Sequence, residues 1–277
     1  MAIKNILVAY NGLPGSEAAL HGAVAMQQHY DTHLTGLFAH GGSSLSHQIK
    51  PWMPQMVKDA IMQVAEQSHS EIREKFDSIC ANVPTEKLHW IDSGGPVHRT
   101  VAAYARLYDI TVLGMHEAAT EYGQSHIEIY PDRITFDSGR PVIIFPSKYR
   151  DGRFGKKTVV AWDGGRAASR ALADAIRFLE PQDPVEIVSV GRSPFSGSLP
   201  GIDVGLILQR HDLNVTLTEL PRDKRSIADT LVDHCQATGA NLLVMGAYEH
   251  SPLREGLLGG VTRDIAMRAN IPVLMSH

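Results

Sequence analysis

A repeat of about half the chain constrains this sequence more than any other feature. Ile6-Leu7-Val8-Ala9-Tyr10-Asn11-Gly12 returns as Val159-Val160-Ala161-Trp162-Asp163-Gly164, and each copy runs into an alanine-rich stretch, Ser16 to Gln27 and Ala167 to Leu179. Ile110-Thr111-Val112-Leu113-Gly114 is echoed by Leu242-Leu243-Val244-Met245-Gly246, and Pro141-Val142-Ile143-Ile144 by Pro272-Val273-Leu274-Met275. Solenoid repeats are far shorter, about 20 to 50 residues, so this period means two similar domains. The 277 residues accommodate two domains of roughly 140 each, both large enough to bury a core.

Within each half, short β-rich runs alternate with helical patterns. Strands are expected at Asn5 to Tyr10, Thr32 to Ala39, Lys87 to Asp92, Thr111 to Gly114 and Val142 to Phe145, then at Thr158 to Trp162, Val185 to Val190, Val215 to Leu220, Asn241 to Met245 and Val273 to Met275. These runs lack clean alternation, as do strands covered on both faces of a parallel sheet. A long helix is expected from about Met53 to Ile79, where Met56, Val57, Ala60, Ile61, Val64, Ile72 and Phe76 recur at three- and four-residue spacing and read as a core stripe. The expected fold is therefore α/β: two doubly wound domains, 1–147 and 156–277, each a five-stranded parallel sheet with helices on both faces. The charged, glycine-bearing junction from Ser147 to Lys156 is short, so the domains should pack together about a pseudo-twofold axis, with the strands at 142–145 and 273–275 near their interface.

Composition removes several function classes. A net charge of -4 gives no electrostatic reason to bind nucleic acid or an anionic membrane. No run of about 18 apolar residues occurs, and the N-terminus enters a strand without an apolar leader. Cys80 and Cys235 are the only cysteines, too few for a disulfide scaffold, and read as small buried hydrophobes in a reducing compartment. A cytoplasmic protein is expected. Neither a Walker Gly-Lys-Ser/Thr sequence nor a Gly-x-Ser-x-Gly elbow is present, so P-loop hydrolysis and serine-hydrolase catalysis lack their parts.

In a doubly wound sheet, ligands bind beyond the carboxyl ends of the strands, where the winding reverses. In the second half those ends supply Asp163, Val190 and Gly246. Gly246 opens the segment Gly246-Ala247-Tyr248-Glu249-His250-Ser251-Pro252-Leu253-Arg254-Glu255-Gly256-Leu257-Leu258-Gly259-Gly260-Val261-Thr262-Arg263. A strand, a glycine-bearing loop and a helix starting near Val261 would present backbone N–H groups to a phosphate, with Thr262 as a further donor and Arg254 or Arg263 as charge. The bland alternative is a glycine-rich turn that serves only helix–sheet packing.

The order of elements and this segment resemble the universal stress protein family, and the resemblance covers both halves, as in its tandem members. Nucleotide-binding members carry Gly, two residues, Gly, nine residues, Gly, then Ser or Thr after the fourth strand. Here the spacing holds as Gly246, two residues, Glu249, nine residues, Gly259, then Gly260. The resemblance implies an aspartate near the adenosine at Asp163, an adenine-pocket lining at Val190, and ATP or another adenine nucleotide as ligand, with Mg²⁺ as a possible companion. Two residues depart from the pattern. Glu249 sets a carboxylate beside the expected phosphates, and two unit charges about 4 Å apart cost roughly 4 kcal/mol at an effective dielectric near 20. A bound Mg²⁺ would invert that sign, since carboxylate oxygens ligate it well. Gly260 removes one hydroxyl donor, a loss of about 1 kcal/mol.

The first half departs further. Its first strand ends in Asn11, no glycine pair follows Gly114, and Glu117, Glu121, Glu128, Asp132 and Asp137 would repel an anion. It reads as a degenerate, structural or partner-facing copy. Ten of the fourteen histidines lie there; His29 and His33 are four apart but separated by the turn at Asp31-Thr32, and no Cys/His cluster has zinc spacing, so no metal site is expected and the histidines read as scattered solvent-facing groups. The functional expectation is a cytoplasmic stress-response or signalling module, self-associating as a homodimer, with an unidentified protein partner and no catalytic residue. Two alternatives stay open: a nucleotide-free interaction module, and a slow ATP hydrolase or adenylyl-transfer enzyme on a related fold, for which no residue stands out as base or nucleophile.

Overall fold

A computed structural model describes residues 3–41, 50, 52–115, 131–150, 155–181, 183–191, 202–247 and 260–277. The first half runs β1 (Asn5–Ala9), α1 (Pro14–Tyr30), β2 (His33–His40), α2 (Gln55–Ile79), a 3-10 turn (Thr85–Lys87), β3 (Leu88–Gly94), α3 (Val97–Ala105), β4 (Ile110–Gly114), α4 (Pro131–Ser138) and β5 (Val142–Phe145). The second runs β6 (Thr158–Ala161), α5 (Arg166–Ala175), β7 (Pro184–Val190), α6 (Val204–Gln209), β8 (Asn214–Leu220), α7 (Ile227–Thr238), β9 (Leu242–Gly246), α8 (Val261–Arg268) and β10 (Val273–Ser276). All ten expected strands are present, displaced at their ends by a residue or two at most.

The strands form one continuous sheet in the order β3-β2-β1-β4-β5-β10-β9-β6-β7-β8. Each half is parallel throughout. The two meet where β5 and β10 pair antiparallel, Val142 opposite Met275, Ile143 opposite Leu274 and Ile144 opposite Val273. Because Ile143 and Leu274 are repeat equivalents lying opposite each other, a local twofold axis passes between them. The antiparallel seam also turns the carboxyl ends of the two parallel halves toward opposite edges of the sheet.

Side-chain alternation sends β5 and β10 into two cores, and both cores cross the seam. Ile143, Phe145 and Leu274 join the face covered by α1, α2, α5 and α6. Val142, Ile144, Val273 and Met275 join the face covered by α3, α4, α7 and α8. On the first face the Tyr30 hydroxyl donates to the Phe178 carbonyl at 2.8 Å and the two rings meet edge to face at 5.9 Å. On the second, Phe136 of α4 packs against His277 at 4.9 Å. Close packing at the seam needs a glycine: a Cβ on Gly22 of α1 would lie 2.5 Å from the Phe145 ring.

The apolar stripe of α2 is a correction. Only Phe76 of this helix is buried; Met56 is 80% and Val64 69% exposed. The side chains that turn toward the sheet are Ile61, Ala65, His69, Ile72 and Phe76. Length explains the difference. At about 1.5 Å per residue the 25 residues of α2 far outrun β2, whose eight residues rise about 3.3 Å each. The N-terminal turns of α2 overhang the carboxyl end of β2 and are largely exposed. Among the described residues no helix is long and apolar enough to cross a membrane.

Both cysteines are buried as expected, and burial pushes their thiols up to about 12. An unfolded thiol ionises near about 8.5. Between these values the unfolded chain has released protons that the folded chain keeps, so stability falls as pH rises, by up to about 1.4 kcal/mol per pH unit for each thiol. The Tyr10 hydroxyl, pushed up to about 12 mainly by burial, adds in the same direction. Urea titrations should therefore give a lower midpoint at pH 10 than at pH 7. In a Cys80→Ala, Cys235→Ala variant that difference should shrink; an undiminished difference would show that the thiols do not carry it.

Candidate functional site

In the second half β9, β6 and β7 are neighbours, so Gly246, Asp163 and Val190 stand at adjacent strand ends along one edge. The chain leaves β6 for α5 on one face and leaves β9 for α8 on the other. The winding reverses between β6 and β9, which opens the crevice where doubly wound folds hold ligands. Of the residues expected to line it, Asp163, Val190, Gly246, Gly260 and Thr262 lie at this edge; Glu249 and Gly259 lie outside the described residues.

The Asp163 carboxylate is exposed and accepts from the Gly165 N–H at 2.7 Å, a turn completed by Gly164 at φ +79 and closing into α5. Asn11 makes the same turn in the first half, accepting from the Leu13 N–H at 3.1 Å with Gly12 at φ +76. Asp and Asn both make such turns, so the turn does not account for the negative charge of Asp163. Val190 ends β7 half-buried against the second core, followed by Gly191 at φ +88.

Gly246 is explained by packing. A Cβ there would lie 2.6 Å from the Ala167 carbonyl carbon and the Ala168 nitrogen of α5. Its repeat equivalent Gly114 is as tight, with a Cβ 2.3 Å from the Gly15 oxygen of α1. Gly260 is different. It caps α8 in an extended conformation without a side-chain cap, and a Cβ there would meet nothing within 4 Å. The first backbone N–H groups of a helix have no intrahelical acceptor; here they belong to Val261, Thr262 and Arg263, with Thr262 half-buried beside them. The neighbouring rim is tied down by the Ala247 N–H to the Ser276 carbonyl at 2.7 Å and by His277 Nδ1 to the Ala247 carbonyl at 2.7 Å. The edge thus offers an acceptor at Asp163, an apolar wall at Val190 and backbone donors at α8.

The first half holds something that sequence reasoning missed. The expectation of scattered histidines fails for His40 and His69, which converge with Asp92 so that one ligand atom of each lies within 4.8 Å of the others. His40 Nε2 is 2.8 Å from Asp92 Oδ1, and His69 Nδ1 is 3.4 Å from Asp92 Oδ2. Strand register sets this up: Phe38 faces Asp92 across β2 and β3, and His40 faces Gly94, so His40 and Asp92 project on the same side, toward His69 of α2. Other histidines are also engaged, His29 with Glu180, His98 with Asp137 and His33 with His89. Of the acidic residues expected to repel an anion there, Asp137 is occupied by His98, the side chain of Asp132 is not described, and Glu117, Glu121 and Glu128 lie outside the described residues.

The fold defines the class, an α/β protein of two doubly wound halves joined edge to edge. Residues 155–277 match the universal stress protein family. A universal stress protein of Synechocystis sp. is 23% identical over 177 residues; the match spans 60% of this chain and 57% of that relative's length. Among solved structures, a universal stress protein from Archaeoglobus fulgidus is similar over 98% of this chain and 95% of its own, with a TM-score of 0.70 at 16% identity. A protein of unknown function from Pseudomonas aeruginosa is similar over 99% of this chain and 92% of its own, with a TM-score of 0.50 at 17% identity. At these identities the two structures speak for the fold alone.

If Gly246 and Gly114 serve close approach of helix to sheet, Gly246→Ala and Gly114→Ala should each destabilise the protein by about 1–3 kcal/mol, the usual cost of overpacking. Urea denaturation measures this. Wild-type stability in either variant would remove the packing account at that position.

Proposed function

We propose that the chain is a tandem universal stress protein, with domains at 1–147 and 156–277, that binds one adenine nucleotide in its second half and acts as a cytoplasmic stress-response or signalling module. The observation that carries this reading is the switch point between β6 and β9, which brings the exposed carboxylate of Asp163 and the N-terminus of α8, without a side-chain cap among the described residues, to one edge of the sheet. A carboxylate suits a sugar hydroxyl as acceptor, the Val190 wall suits an adenine face, and the N-terminus of a helix suits a phosphate. In the first half the equivalent turn carries a neutral Asn11, consistent with a degenerate copy. Homodimer formation and a protein partner belong to the same reading.

A nucleotide-free interaction module is the second reading, favoured by Gly246, whose identity packing alone explains. The two separate by measurement. Isothermal titration with ATP, ADP and AMP, with and without Mg²⁺, should give one site per chain, and Asp163→Ala should weaken binding about tenfold, the equivalent of roughly 1.4 kcal/mol. Two equivalent sites would overturn the asymmetry of the halves, and no binding would favour the interaction module.

Glu249 supplies a sharper test. If its carboxylate stands beside the phosphates, Glu249→Gly should strengthen MgATP binding about five- to two-hundredfold, or about 1–3 kcal/mol, toward the lower end where solvent screens the charge. Weaker binding in that variant would mean that the carboxylate holds Mg²⁺ or an arginine. Unchanged affinity would place Glu249 away from the nucleotide.

A further inference from the structure

We propose that His40, His69 and Asp92 form a binding site for a divalent first-row transition metal, with zinc as the reference ion, at the carboxyl edge of the first half. The antiparallel seam places this edge opposite the crevice of the second half, so the site stands independently of nucleotide binding.

Two imidazoles and one carboxylate, with a position left open, are a frequent ligand set for Zn²⁺ and its neighbours. The side chains come from three separate elements, β2, α2 and β3, and converge. A tetrahedral ion with bonds of about 2.0–2.2 Å needs its ligand atoms about 3.3 Å apart. His40 Nε2 lies 2.8 Å from Asp92 Oδ1 and His69 Nδ1 3.4 Å from the other oxygen, Oδ2; with one ligand atom taken from each residue, all three separations stay within 4.8 Å. Small side-chain rotations close the set around an ion. The nitrogens that now face the carboxylate are the ones that would ligate, so a dication replaces two contacts to Asp92 without any change of backbone.

The surroundings hold these ligands in place. Phe38, buried in β2, stacks on the His40 ring at 5.1 Å and meets the His69 ring edge-on at 4.8 Å, which limits rotation of both. The two histidine rings lie 4.6 Å apart and tilted by 60°, splayed as two ligands of one ion are. Arg73, one turn along α2 from His69, is drawn elsewhere: its Nε bonds Asp77 at 2.7 Å and its guanidinium lies 5.1 Å from the centre of the Trp90 ring. Among the described residues the ion-pair partners of Asp92 are histidines, and its charge is available to a cation. His69 also lines a groove of about 650 Å³ with Phe38, Met56, Ile61 and Val64, so the open position lies beside an apolar recess under the overhang of α2.

The test uses the tag-free full chain, stripped with a chelator and desalted. Titration with Zn²⁺ in competition with a chromophoric chelator should show one tight equivalent per chain, and Co²⁺ should give the visible d–d absorption of a four-coordinate ion. Losing an outer-shell partner of a metal site costs about 10–100-fold in affinity; His40→Ala and His69→Ala each remove a ligand and should weaken Zn²⁺ binding by at least about 100-fold, with His69→Gln behaving alike at nearly unchanged side-chain volume. A His33→Ala, His89→Ala variant, which removes the other histidine pair on β2 and β3, should bind Zn²⁺ as the wild type does. Circular dichroism confirms that each variant is folded. Absence of the tight equivalent in the wild-type chain, or its retention in a folded His40→Ala, His69→Ala variant, would overturn the proposal.

Discussion

The pairing of β5 with β10 is the contact on which the remaining architecture depends. Every residue of these two strands is buried. In a separate half they would form a bare apolar edge with unsatisfied backbone groups, the kind of edge that proteins cover or charge. Joined antiparallel, they satisfy each other's backbone and carry side chains into cores on both faces. The outer edges of the merged sheet are built differently. β3 and β8 alternate between partly buried and exposed positions and expose polar side chains such as His89, Thr216 and Glu219, which discourages further strand addition.

The repeat conserves within the chain what packing requires. Gly114 and Gly246 occupy equivalent places because the first helix of each half crosses the sheet so closely that a Cβ has no room. Asn11 and Asp163 make the same turn for the same local reason. Shared features of this kind locate the scaffold and say little about chemistry. What distinguishes the halves lies at the strand ends, where the second half has a carboxylate at the switch point and the first half has a His–Asp–His cluster two strands outward.

The strands, their parallel doubly wound arrangement and the place of the seam were legible because strand runs are short, apolar and repeated, and because doubly wound folds leave few alternatives for connecting them. The exposure of α2 was not legible. Periodicity marks an amphipathic face but cannot report that the helix is longer than the strands beneath it, so Met56 and Val64 read as core and stand in solvent. The meeting of His40, His69 and Asp92 was hidden for another reason: their positions in sequence show no ligand spacing, and only the register of β2 against β3 brings two of them to one face. A usable signal existed in the alternation, since Phe38 and His40 share a face of β2 and an apolar partner followed by a histidine is an unusual end for a buried strand. Gly246 carried a mixed signal, because a phosphate loop and a tight helix crossing both demand glycine.

The two turns at Asn11 and Asp163 have a consequence for how such a chain can change over time. A symmetric dimer assembled from one short polypeptide receives every substitution twice, so neither copy can surrender a residue that the other needs. Once both copies lie on one chain, each position drifts alone. Geometry preserves the bend, which either side chain can make, while its charge is left to selection. The exchange of Asn11 for Asp163 at that bend is a record of independence between halves that are still bound by a common sheet.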